Sequence, residues 1–186
     1  MDFAALQSQQ HLEVRQRITF MVNRYEIWAG GQRVALAQQK RMAFKEQVTL
    51  YADEQRTLPL FGFKARSVVD LGATYDVTTA DGNPIGWFRK DFGQSLLRTT
   101  WHIGQPGLGE CSGQERSMPV AILRRVLDSF PWPYHFDFST ADGRPVMSVE
   151  RRLGLRDHYD VTVHDPAIDR RLVCAMAVGL DALQAR

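Results

Sequence analysis

Residues 172–180 read LVCAMAVGL, nine positions without a charge, inside a helical stretch that runs from Pro166 to Gln184. A helix on a protein surface shows a polar face; one that is apolar all round is buried on every side. Asp165 offers an N-cap and Pro166 suits the first helical position. The small residues Cys174, Ala175, Ala177 and Gly179 would let surrounding walls come close. Nine residues rise about 14 Å, half of a bilayer core, so the stretch is too short to span a membrane.

The rest of the chain supplies the walls. Short runs rich in β-branched and aromatic residues recur between turn signals: RITFMV at 17–22, YEIW at 25–28, VTLY at 48–51, LPLFGF at 58–63, YDVT at 75–78, TTWHI at 99–103 and YDVTV at 159–163. In the last, Tyr159, Val161 and Val163 alternate with polar residues, the period of a half-buried strand. An internal repeat relates YDVTTADGNPI (75–85) to FDFSTADGRPV (136–146), with six of eleven positions identical. A fainter copy, YEIWAGGQRV, starts at Tyr25. Each reads as strand, turn, strand, with Asp-Gly or Gly-Gly supplying the positive φ of a hairpin. Pro84 and Pro145 follow, where a strand begins and a missing N–H is tolerated. The copies are 50 and 61 residues apart, which is no fixed solenoid or propeller period. A second helix is expected at Ser117–Asp128, with Ser117 as N-cap and Val120, Leu123, Val126 and Leu127 on one face. Some ten to twelve strands plus a helix buried all round predict an all-β fold, a closed barrel around a C-terminal helix. A two-layer α+β sandwich would leave one helix face wet.

Composition fits one globular domain. The chain has 186 residues, 44% hydrophobic and 24% charged, with 23 Lys and Arg against 21 Asp and Glu, a net charge of +2. Disorder is excluded by this balance, and two cysteines exclude a disulfide scaffold. The start, MDFAALQSQQ, carries no signal-peptide pattern. Residues 1–11 are expected to be a frayed or lightly docked segment and 12–186 a single domain with its central helix at 166–184. The expected location is cytoplasmic, with peripheral membrane attachment allowed.

The order of the blocks VRQRITFMVNRYEI (14–27), YDVTTADGNPIGWFRK (75–90) and FDFSTADGRPVMSVER (136–151), then HYDVTVHDP and the terminal helix (158–183), resembles the tubby-like superfamily. The branch it is most similar to is the LURP-one-related and scramblase-like proteins, over about residues 12–184. That resemblance implies a twelve-stranded antiparallel barrel around a hydrophobic C-terminal helix. For function it implies phosphoinositide head groups on a basic outer surface, as in tubby domains, and membrane association, as in scramblases. The acidic calcium segment and palmitoylated cysteine cluster of animal scramblases are absent from this sequence.

Candidate phosphate ligands are therefore cations. Residues 33–66 hold seven Lys or Arg against three acids, densest at Gln38-Gln39-Lys40-Arg41-Met42. Lys40, Arg41, Lys64 and Arg66 belong to this segment, and the pairs Arg89-Lys90 and Arg151-Arg152 end two repeat hairpins. Guanidinium forks and ammonium charges converging on one rim would hold a phosphate; the plain alternative is a solvated surface, ordinary for such residues.

The remaining motifs point away from chemistry. His11, His102, His135, His158 and His164 form no H-E-x-x-H pattern, and His158 and His164 stand about 20 Å apart on a straight strand, too far to share an ion. Asp81 and Asp142 miss the EF-hand spacing and are explained by turns. The GLGECSG run at 107–113 misses a dinucleotide fingerprint and has no βαβ unit around it. There is no G-x-S-x-G elbow. Cys111 and Cys174 are expected as free thiols, the latter inert. Trp28, Trp87 and Trp101 are expected in the barrel wall, and Trp132, between two prolines, as a rigid tip for a membrane interface or partner. The expected function is a non-enzymatic binding module for anionic phospholipid head groups, without cofactor or metal. The alternative is a protein-interaction scaffold with no lipid role. An enzyme needs a polar pocket, for which a helix-filled barrel leaves little interior, and +2 is a poor footprint for nucleic acid.

Overall fold

The computed structural model describes residues 3–18, 22–40, 47–67, 74–91, 99–116, 135–152 and 158–184. Twelve strands follow one another as an antiparallel meander: β1 (His11–Ile18), β2 (Val22–Ala29), β3 (Gln32–Lys40), β4 (Gln47–Tyr51), β5 (Pro59–Ala65), β6 (Thr74–Thr79), β7 (Pro84–Asp91), β8 (Thr100–Gln105), β9 (Gly109–Glu115), β10 (His135–Thr140), β11 (Pro145–Arg152) and β12 (His158–Val163). Each strand pairs with the next and β12 pairs back onto β1, closing the barrel. Closure leaves no edge strand to be covered. A short helix α1 (Phe3–Gln7) precedes the barrel and α2 (Arg170–Gln184) fills it.

The buried-helix expectation holds residue by residue. From Leu172 to Leu180 every described side chain of α2 is at most 1% exposed. Strand alternation supplies the facing wall: Leu12 and Val14, Phe61 and Phe63, Phe136 and Phe138, and Tyr159, Val161 and Val163 all point inward. Burial in this apolar surround pushes the Cys174 thiol up to about 12, so it behaves as a small hydrophobe.

The repeat is also structural. In both ADG hairpins the threonine carbonyl accepts from the glycine amide (Gly82 to Thr79, 3.0 Å; Gly143 to Thr140, 2.9 Å), and the same threonine's amide donates across the turn to Asn83 or Arg144. The glycines have φ of 84° and 83°, and the register shifts by one residue just before each turn. This is a type I turn closed by a glycine bulge. The hairpin at Gly30-Gly31 differs: both glycines have positive φ, the two-residue turn that its shorter spacing predicts.

Three expectations are corrected. RITFMV is not one strand: β1 ends at Ile18 and β2 starts at Val22. Helix α2 begins at Arg170, not Pro166. The Asp165 carboxylate takes the Ala167 amide at 2.9 Å in a local turn, and Asp169 is the cap, accepting from the Arg171 amide at 2.8 Å. Side-chain bonding at Asp165 holds the backbone in that turn and delays the helix by one turn. The N-terminal segment is docked, not frayed. Leu6 is 2% exposed in the core. The Gln7 carboxamide bonds Pro166 O (3.1 Å), Ile168 O (2.9 Å) and the Arg170 amide (3.1 Å), tying α1 across the start of α2. The helix expected at Ser117–Asp128, and Trp132, lie outside the described residues.

The two ends of the barrel differ. The connections β2–β3, β4–β5, β6–β7, β8–β9 and β10–β11, the start of α2 and α1 are all at one end, called here the turn end. The opposite strand ends, Ile18, Val22, Lys40, Gln47, Ala65, Thr74, Asp91, Thr100, Glu115, His135, Arg152 and His158, and the last turns of α2 mark the far end.

Candidate functional site

The outward side chains near the far end are ordered by charge. Six arginines each pair with a carboxylate that sits nearer the turn end, by one two-residue step along the strand. Arg66, whose amide bonds Thr74 O, forks onto Asp76 with contacts of 2.7–2.9 Å. Arg89, opposite His102, reaches Glu110, opposite Gly104, at 3.2 Å. Arg116, whose amide bonds His135 O, forks onto Asp137 at 2.7 Å and also meets Glu150 at 2.9 Å. Arg152, opposite His158, pairs with Asp160. Arg15 pairs with Glu13 at 2.7 Å and lies 4.3 Å over the Trp28 ring. Arg17, opposite Arg24, pairs through Nε with Glu26 at 3.1 Å. In these six pairs the cation is displaced toward the far end and the anion toward the turn end, whereas Glu150 stands level with Arg116 and Arg33, Arg144 and Arg171 are paired at the turn end.

Pairing moves the acid–base behaviour of Glu13 and of the Arg116–Asp137 pair. Hydrogen bonds from Arg15 hold the Glu13 carboxyl below its ordinary range. Arg116 does the same to Asp137, whose own hydrogen bonds, with those of Glu150, push the Arg116 guanidinium higher still. These pairs are exposed, where water screens most of their energy. Their ordered placement bears on function more than their strength does.

The cations singled out from sequence divide into several groups. Lys64, Arg66 and Arg89 share the outer face of β5–β7, with Lys64 opposite Asp76. Arg152 is outward on β11, four strands from β7. Lys40 ends β3, its backbone opposite Val22, and Arg41 is outside the described residues. Lys90 and Arg151 share the inward register: they stand opposite Trp101 and Tyr159, both core residues, and are half-buried. Adjacent residues on a strand face opposite sides, so each doublet contributes one cation to the surface. The doublets of β7 and β11 are not neighbours, since β8, β9 and β10 intervene. His158 and His164 lie at and beyond opposite ends of β12.

Sequence reasoning missed Arg15, Arg17, Arg24 and Arg116. The signal for the first two was present, two arginines at period 2 in a strand, but reading 17–22 as a single strand concealed it.

Two other features are polar and local. Inside the far end, the Asp181 carboxylate accepts from Tyr159 OH and from Gln16 Nε2 (2.9 Å), with Tyr25 fully buried beside it. Burial, with Asp181 close by, pushes the Tyr25 phenol up. This cluster anchors the last turns of α2. On the outer face, Trp87 lies flat over Gly104, directly opposite on β8, where a Cβ would come within 2.3 Å of the indole. Around it is a groove of ≈ 330 Å³ between the Arg66–Asp76 and Arg89–Glu110 pairs. Of the tryptophans expected in the wall, Trp101 is core while Trp28 and Trp87 are half-buried on the outside.

Comparison with known proteins gives a family. No curated protein and no solved structure matches the chain. The LURP-one-related family profile matches residues 34–181, from β3 into the last turns of α2. A barrel closed strand by strand around its own terminal helix, matched over most of its length, makes this chain a member of the LURP-one-related family.

Proposed function

We propose that this protein is a non-enzymatic binding module that docks on anionic phospholipid head groups with the far end of its barrel. One observation carries the reading: in six ion pairs around the barrel the arginine lies on the far-end side of its carboxylate. Such an offset gives a near-neutral molecule a polarised surface. Local clustering is what a protein of net charge +2 needs for anionic lipid. Resemblance to the tubby-like superfamily, whose domains bind phosphoinositides, supports the same reading. So does a barrel interior filled by α2, which leaves binding to the outside. In this reading the protein is cytoplasmic and peripheral; among the described residues no helix is long and apolar enough to cross a membrane.

Co-sedimentation at low salt with phosphatidylcholine vesicles, with and without a phosphoinositide, tests it. Binding is expected only with the anionic lipid and weakens as salt rises. No gain from the anionic lipid overturns the reading. The groove at Trp87 favours a second reading, a protein-interaction scaffold with no lipid role, because its rim charges are already neutralised in pairs. Under that reading Trp87→Ala abolishes partner recovery, whereas replacing Arg89 and Lys90 by Glu leaves it intact.

A further inference from the structure

Arg17 and Arg24 stand directly opposite each other on β1 and β2, on the outer face, at the far end. Like charges in directly opposed cross-strand positions repel and cost stability. Among the described residues nothing neutralises the pair in full. Arg17 has a single carboxylate contact, with Glu26, and its side chain is 60% exposed. Arg24 is exposed, and no carboxylate among the described residues pairs with it. Its other cross-strand neighbour is Gln38, an uncharged donor.

Glu26 fixes how Arg17 is presented. It is a buried carboxylate, 5% exposed, held by Trp28 Nε1 at 3.3 Å and Arg33 Nη1 at 3.6 Å. It takes Arg17 by Nε at 3.1 Å. The two Nη groups of Arg17 are left for another acceptor, beside the whole guanidinium of Arg24. We propose that Arg17 and Arg24 form a clamp for a phosphomonoester dianion. Two guanidinium forks with side chains about 5 Å apart at their base suit a tetrahedral anion with three non-bridging oxygens. Arginine's fixed fork suits this task better than lysine's point charge. The dianion also cancels the cross-strand repulsion. The phosphomonoester is either a lipid head group or a soluble phosphate. Only the lipid source depends on the function proposed above.

The experiment follows the arginine Nε–Hε resonances of the full chain by NMR during titration with inorganic phosphate. It also measures sedimentation with vesicles carrying phosphatidic acid or, at matched surface charge, phosphatidylserine. Variants are Arg17→Gln, Arg24→Gln, Arg24→Lys and, as a charge-matched control at the turn end, Arg56→Gln. Saturable shifts at Arg17 and Arg24 with inorganic phosphate, weakened about tenfold or more in Arg24→Gln and partly restored in Arg24→Lys, support the clamp with a soluble source. Preference for phosphatidic acid over phosphatidylserine, abolished in Arg17→Gln and Arg24→Gln, supports the lipid source. Equal binding to both vesicle types, unchanged by either variant, rules out the lipid source while leaving the polarised-surface reading standing, and together with no saturable phosphate shift at Arg17 and Arg24 it overturns the clamp. A loss as large in Arg56→Gln, or no response of either arginine to any probe, overturns the clamp too.

Discussion

Gly179 of α2 packs against the edge of the Phe88 ring on β7 so closely that a Cβ at 179 would lie 2.9 Å from Cε2 and Cζ. Phe88 cannot retreat. It stacks on Tyr75 at 5.1 Å, meets Phe63 edge-on at 5.1 Å and lies 6.2 Å from Trp101. Gly179→Ala gains about 1 kcal/mol of helix propensity and loses about 1–3 kcal/mol to overpacking. A net fall in thermal midpoint of a few degrees is expected by calorimetry. A midpoint at or above that of the parent contradicts this close approach.

Removing α2 tests the barrel as a whole. A fragment ending at Asp165 leaves Phe61, Phe63, Phe88, Phe138 and Tyr159 around an empty apolar tunnel. That loss is far larger than any single core truncation. The fragment is expected to be insoluble or to melt without a cooperative transition. A soluble 1–165 fragment with a sharp melt would show that the sheet closes without its helix.

The docked N-terminus makes a separate forecast. Gln7→Ala removes the acceptor of the Arg170 amide and one of two donors to Pro166 O and Ile168 O, which keep Arg170 Nη1. A cost of about 1–3 kcal/mol is expected from the Arg170 amide left unpaired. Hydrogen exchange is the discriminating measurement: protection at Arg170 falls while β5–β9 amides are unaffected. Unchanged protection at Arg170 would mean that α1 is only loosely attached.

Acid stability follows from the ion pairs. The folded-state pKa values of Glu13 and Asp137 are depressed below their ordinary 4.5 and 3.8 by Arg15 and Arg116. A depressed carboxyl stabilises the fold above its unfolded value and loses that contribution as pH falls through the folded value. Urea unfolding is therefore expected to show constant stability from these groups near neutrality and a decline below about pH 4. Arg116→Gln frees Asp137 to titrate as in the unfolded chain, so the difference between pH 7 and pH 3 narrows. An equally steep acid branch in that variant removes Asp137 from the account.

Several elements were readable from local sequence because their causes are local. Asp81-Gly82 and Asp142-Gly143 announce the same turn, and both hairpins contain it down to the threonine side chain that bonds the following amide at 3.0–3.1 Å. The alternation in YDVTV gives a strand with Tyr159, Val161 and Val163 inward. Other elements were hidden by competing local signals. The β1–β2 connection falls inside an apolar run, and Asp165 looks like a cap while acting in a turn one helical turn earlier. MDFAALQSQQ looks disposable because the partners of Leu6 and Gln7 come from the other end of the chain.

By itself the sequence determined that this chain buries an uncharged helix within a wall of short strands, and which hairpins repeat. Helix burial and turn geometry follow from side-chain polarity and backbone φ, properties carried by a few adjacent residues. Only the tertiary structure decided which cations meet. Each depends on strand register, which puts Arg17 opposite Arg24 and Arg89 opposite His102, sends Lys90 and Arg151 inward, and sets β7 and β11 four strands apart. Register is a relation between distant strands. A shift of one residue would turn every one of these side chains to the other face.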